Sequence, residues 1–255
     1  GVEMFNSWDA FAWNGSSEVS AGMTTYYWNR DAYVNEGATF DAGNAHQQNT
    51  GTYHYHANPI ALRYLLGDHV NYDSATKTYS EDTNTPTKHS PILGWVADGF
   101  PIYGPYGYSV SNDATSGIRR MISGYVIRDG QYGTSNLTAN GRTTIPAWAA
   151  RLFNVASNIV AGPTVNSNYP LGRYMEDNDY LGDHGYVQGM NFDLDEYNGR
   201  WCVTPEFPNG TYAYFVAIAA DGTPVFPYNI GRGFYGSNTG GSVSSITELV
   251  TTNFL

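Results

Sequence analysis

Apolar and polar positions alternate with a period of two along Gly51-Thr52-Tyr53-His54-Tyr55-His56. That is the pattern of a β-strand, in which successive side chains point to opposite faces. His54 and His56 then share one face, and Tyr53 and Tyr55 the other. The pattern returns as Gly210-Thr211-Tyr212-Ala213-Tyr214-Phe215. Each copy follows an Asn-containing turn and an acidic, Gly-containing segment, Phe40-Asp41-Ala42-Gly43-Asn44 in the first case and Leu194-Asp195-Glu196-Tyr197-Asn198-Gly199 in the second. A second unit, Asp98-Gly99-Phe100-Pro101-Ile102-Tyr103, is echoed by Asp221-Gly222-Thr223-Pro224-Val225-Phe226, and Asp-Gly before an apolar alternation signals a hairpin. Gly1-Val2-Glu3-Met4-Phe5-Asn6 reads as a third copy of this unit. It predicts a hairpin whose first strand would lie before Gly1, with a sheet edge left open or filled by another segment or subunit.

Tyr26 to Trp28, Ile92 to Val96, Gly124 to Arg128 and Thr211 to Ile218 also read as strands. Two short helices are predicted, one from Asn58-Pro59 to about Leu66 and one from Pro146 through Leu152. Val70 to Lys88 and Asp129 to Arg142 are polar and read as surface loops. No linker separates independent domains. The prediction is an all-β fold, a sandwich or distorted barrel of two related halves with a few short helices. A single domain would span 1–236, with halves of about 1–97 and 98–236, followed by a Gly/Ser/Thr-rich tail over 237–255.

Composition narrows the partners. The 255 residues carry a net charge of −11, which argues against nucleic acid or an anionic membrane as partner. No apolar run is long enough to span a bilayer. Cys202 is the only cysteine, so no intrachain disulfide can form, and its neighbours Trp201 and Val203 mark it as a buried thiol.

The chemistry centres on histidine. Two residues along a strand span roughly 6–7 Å, a gap across which two imidazoles can converge on one cation. A hairpin would return His46 beside His54 and His56, and His89 begins the segment that leads to Asp98. Three histidines, or two plus His89, with a carboxylate from Asp98 or Asp41, would suit Zn or Cu. Tyr53, Tyr55 and Tyr103, with Asp41, are candidates to support those ligands. The second copy carries Ala213 and Phe215 where the first carries His54 and His56, so the strand itself does not need imidazoles. A second polar cluster, Asp177, Asp179, Asp183, Asp193 and Asp195, offers oxygen ligands for Ca, although its spacing is not that of an EF-hand loop. His54 or His89 as base with Tyr53, Tyr55 or Tyr103 as acid would suit β-elimination on an acidic polysaccharide. The cations such chemistry needs, among Arg63, Arg119, Arg120 and Arg128, are sparse. There is no Gly-x-Ser-x-Gly elbow, phosphate-binding loop, dinucleotide fingerprint or His-Glu-x-x-His.

At Thr52-Tyr53-His54-Tyr55-His56 the chain resembles the YHYH-domain family. His89-Ser90-Pro91-Ile92-Leu93-Gly94-Trp95, Asp98 through Gly107, Leu194 through Arg200, Pro208 through Tyr214 and Phe226-Pro227-Tyr228 extend the resemblance over most of Gly1 to Gly236. The resemblance implies a secreted protein, extracellular or at the cell surface, and no settled activity. Three functions follow as expectations. The first is an extracellular metal-binding protein, with a metal-dependent enzyme acting on an extracellular polymer as its catalytic form. The second is a structural module that assembles with copies of itself by strand complementation. The third is a metal-free His/Tyr polysaccharide lyase.

Overall fold

The computed structural model describes residues 1–238 apart from Met23 and Ile159, so the predicted tail lies, from residue 239, outside the described residues. The chain is built of short strands with few short helices. They gather into several small sheets, with no closed barrel among the described residues.

Two of these sheets carry the repeated pattern. In the first, Tyr53–Tyr55 is central, with Glu3–Met4 parallel on one side and Ala45–Gln47 antiparallel on the other. In the second, Thr211–Phe215 lies between Pro101–Tyr103, parallel, and Gly199–Cys202, antiparallel. The registers coincide. Tyr55 faces Met4 and Ala45, while Tyr214 faces Ile102 and Gly199. The turns match as well. Asn44 and Asn198 both adopt left-handed backbone, at φ 65° and 68°, a conformation that Asn tolerates better than most residues. Asp41 and Asp195 each accept backbone N–H groups within their own turn. Each also accepts the phenol of the following central strand, Tyr53 at 2.6 Å and Tyr212 at 2.8 Å.

An aromatic core joins these sheets. Tyr212, Tyr214 and Ile102 pack with Met4 in one cluster, and Trp28, Trp148, Tyr174 and Phe226 form another. Charges within it are paired: the Arg142–Asp177 ion pair is wholly buried.

Sequence and structure differ in places. Residues Val70 to Lys88 contain a hairpin, Val70–Asp73 with Thr78–Glu81, where polarity predicted a loop. The hairpin holds Glu81 against the buried Arg63. The predicted loop Asp129 to Arg142 contains a helical turn, Leu137–Asn140, capped by the Asn136 side chain. The strand expected at Tyr26 to Trp28 lies at Asn29–Asp31 instead. The two predicted helices are present as Ile60–Leu65 and Ala147–Phe153.

Candidate metal centre

The antiparallel pairing of Ala45–Gln47 with Tyr53–Tyr55 sets His46 directly across from His54. His56, two residues on, emerges on the same face. The Nε2 atoms of His46 and His54 lie 3.1 Å apart, and those of His54 and His56 lie 2.9 Å apart. These three residues offer ligand atoms that all fall within 4.8 Å of one another, a set that could hold a metal ion.

Each ring is anchored through its other nitrogen. His54 Nδ1 meets the carbonyl of Thr52 at 3.1 Å, and His56 Nδ1 meets that of Asn6 at 2.7 Å. A carbonyl only accepts, so both Nδ1 atoms must carry the hydrogen. His46 Nδ1 meets the Thr39 hydroxyl at 2.7 Å. That hydroxyl donates to the Glu36 carbonyl at 2.7 Å, so its oxygen accepts from His46. In the neutral rings all three Nε2 atoms are therefore bare lone pairs aimed at one place. With metal–nitrogen bonds of about 2.1 Å, ligands at the tetrahedral angle sit roughly 3.4 Å apart and ligands at 90° roughly 3.0 Å, so the pairs at 3.1 and 2.9 Å lie at the tight end of that range.

Burial discourages a proton from taking the cation's place. It lowers the His46 imidazole, with His54 nearby adding to the effect, and it lowers His56 to about 4. Phe5 stacks on His54 at 4.3 Å, and Phe40 meets His46 edge-on at 4.8 Å. Glu36, at the end of the helix Ala32–Glu36, brings Oε2 to 3.4 Å from His56 Nε2 and 3.7 Å from His46 Nε2. Burial pushes its carboxyl up to about 7, with Asp9 contributing.

The structure brings His46, His54 and His56 together and places the other candidates elsewhere. His89 packs against Tyr103, Tyr108 and Phe215, with Nδ1 on the Ser90 carbonyl. Asp98 accepts from the Tyr214 hydroxyl at 2.6 Å and from the Gly236 N–H. Asp41 is occupied by Tyr53 and its own turn. Tyr55 is buried beside Tyr53, and the Tyr103 hydroxyl donates to Glu206 and accepts from the Thr204 hydroxyl. The acidic cluster is dispersed among partners: Asp177 to Arg142, Asp179 to Arg128 and His184, Asp183 to Arg151, Asp193 to Arg119, and Asp195 to Tyr212. Among the described residues these carboxylates form no calcium cage. Arg63 and Arg119 are likewise committed to carboxylates, Arg120 to the Ile218 carbonyl and Arg128 to the Thr144 and Glu176 carbonyls, and none of the four lines the cleft beside the histidines.

Sequence reasoning missed Glu36 and Thr39, which no periodicity marks, and the aromatic walls Phe5 and Phe40. It also missed the cleft of about 890 Å³ that opens onto the three histidines and is bordered by Trp8, Phe11 and Gln48. No helix among the described residues is long and apolar enough to cross a membrane. No curated protein and no solved structure matches the chain. A family model does match, over residues 1–227, and the chain belongs to the YHYH protein family.

Proposed function

We propose that this chain is a secreted metal-binding protein whose ion is held by Nε2 of His46, His54 and His56, with the Glu36 carboxylate as fourth donor. The ion would serve an enzyme acting on an extracellular polymer lying in the cleft. The carrying observation is the tautomer pattern. Every Nδ1 is used as a donor, so the three acceptor nitrogens face one another, with His54 Nε2 3.1 and 2.9 Å from those of His46 and His56, an arrangement that costs energy without a cation. Imidazole nitrogens favour Zn or Cu over Ca. Such an ion supplies Lewis-acid chemistry if Zn, and one-electron chemistry if Cu. The chain's own residues do the positioning. Thr39 and the carbonyls of Thr52 and Asn6 fix the rings, Phe5 and Phe40 keep water from their faces, and Glu36 places a titratable oxygen beside them.

Elemental analysis tests this reading. Purified protein should carry close to one Zn or Cu per chain, and the His54→Ala, His56→Ala double variant less than about a tenth of that. Trace metal that is unchanged in the double variant contradicts it.

One observation favours the structural alternative. Glu3–Met4 is an edge strand, whereas its counterpart Pro101–Tyr103 is flanked on its far side by Ile92–Trp95. A strand from another copy could add to that edge and build a surface layer or filament. Monodisperse particles in electron micrographs of concentrated protein would count against it.

A further inference from the structure

The cleft over the triad is lined by two kinds of surface. The first comes from the strand Trp8–Trp13, whose pairing with Asn29–Asp31 shifts register between Trp8 and Ala12. Within the shift Ala10 takes φ 66°, a left-handed conformation that a residue with a side chain adopts only where its surroundings impose it. Such bulges re-aim side chains, and this one borders the cleft with Trp8 and Phe11. Both rings are held in place. Trp8 Nε1 donates to the Phe11 carbonyl at 3.1 Å, and the Arg30 guanidinium lies 4.7 Å over the Phe11 ring.

The second surface is Gln47, at the end of the strand Ala45–Gln47, and the turn Gln48-Asn49-Thr50 that follows it. All four residues are exposed, and none of their side chains has a hydrogen-bond partner among the described residues. Three amides and a hydroxyl thus present free donors and acceptors to the same space as two fixed aromatic rings. No Lys or Arg lines the cleft, and its only charged groups are Asp9, Glu36 and whatever charge the histidines carry. Asp9 is already paired to Arg30 at 2.6 Å.

We infer that this cleft binds a neutral glycan chain. Sugar rings offer apolar C–H faces that stack on aromatic side chains, and hydroxyls around the ring edge that amides can both donate to and accept from. A polyanion would meet carboxylates with no free cation to offset them. An extended peptide is recognised through its main chain, whereas the unpartnered groups of Gln48, Asn49 and Thr50 are side-chain donors and acceptors spread over a turn, which suit ring hydroxyls. What becomes of the glycan rests on the metal reading above. Its binding does not.

Isothermal titration of the full chain tests the inference, with the hexaoses of glucose, mannose and N-acetylglucosamine as ligands. Hexagalacturonate and an uncharged hexapeptide are the comparisons. Each is measured on protein stripped by chelator and on protein reloaded with Zn, and metal content is determined on the same samples. At least one neutral hexaose should bind, and Phe11→Ala and Gln48→Ala should each weaken it at least about tenfold with the thermal midpoint retained. Phe11 and Gln48 are both exposed, so loss of fold is not the expected outcome of either change. Binding confined to hexagalacturonate or to the peptide, or no binding in either form, overturns the inference. Protein that takes up Zn and binds no hexaose sinks the glycan inference alone. Protein that binds a hexaose and takes up no metal sinks the metal reading alone.

Discussion

His54 and Ala213 hold the same position in two copies of one strand arrangement. His54 sits across from His46, and Ala213 sits across from Arg200. Beside them, Tyr55 and Tyr214 face Met4 and Ile102 in the same parallel register. At the third corresponding position the second half has Phe215, with the Arg200 guanidinium 5.5 Å over its ring. One sheet is thus complete with an alanine and a phenylalanine where the other carries imidazoles. The strand pairing does not require them, and burying their lone pairs face to face costs stability.

It follows that His54→Ala, which imitates the second half, should leave the fold intact. In chelator its urea stability should fall by less than about 2 kcal/mol, the scale of a modest core truncation. With saturating Zn the gap to the parent should widen, because ligand binding stabilises only a folded state that can bind it. An equal gap under both conditions would mean that the imidazole acts only in packing.

Thr39 tests the orientation of the rings. Thr39→Val removes the oxygen that accepts from His46 Nδ1 and frees that ring to turn. Loss of such a supporting contact typically weakens metal affinity by about 10–100-fold. Competition with a chromophoric chelator should show that drop while the metal-free protein melts close to the parent. An unchanged affinity would place His46 outside the ligand set.

Much of this centre was legible in the chain and part was not. The period-two pattern located the His54 strand, and the Asn-containing turn before Gly51 returned His46 to it. The histidine-free copy around Ala213 separated function from scaffold. Glu36 and Thr39 left no mark, because they lie in a short helix and a 3-10 turn where no periodicity identifies the inward face. His89 misled for the opposite reason. It opens the strand-like segment that leads to Asp98, yet its ring packs against Tyr103, Tyr108 and Phe215. The run of aspartates near Asp179 looked like an oxygen cage, but the arginines that neutralise Asp177, Asp183 and Asp193 come from more than 30 residues away. Only the folded chain supplies those pairings.

Asp31 gives the fold a pH dependence remote from the histidines. Burial pushes its carboxyl up to about 8, while the Tyr228 hydroxyl and the Val34 N–H both donate to it. A raised carboxyl means that the folded state holds the proton more tightly than the unfolded chain, where the value is about 3.9. The contribution is therefore complete below about pH 4 and is lost as pH rises through 8. Asp31→Asn keeps an acceptor oxygen and never ionises. Its stability relative to the parent should improve steadily in urea titrations from pH 5 to pH 9, and a gap independent of pH would contradict the assignment.

Arg142 should be the costliest of these positions. Its guanidinium holds Asp177 in two bonds, at 2.6 and 2.7 Å, and also donates to the carbonyls of Pro163, Tyr169 and Pro170. Arg142→Met strands a buried carboxylate, a loss of about 3–5 kcal/mol. Chemical denaturation reads it directly, and a cost below about 1 kcal/mol would show that water relieves the site.

If three imidazole nitrogens share one ion, anomalous diffraction from crystals grown with Zn or Cu will locate it. A single strong peak should lie about 2.1 Å from Nε2 of His46, His54 and His56, with the Glu36 carboxylate turned toward it. Rings splayed apart with no peak between them, or a peak elsewhere in the molecule, would contradict a shared ion.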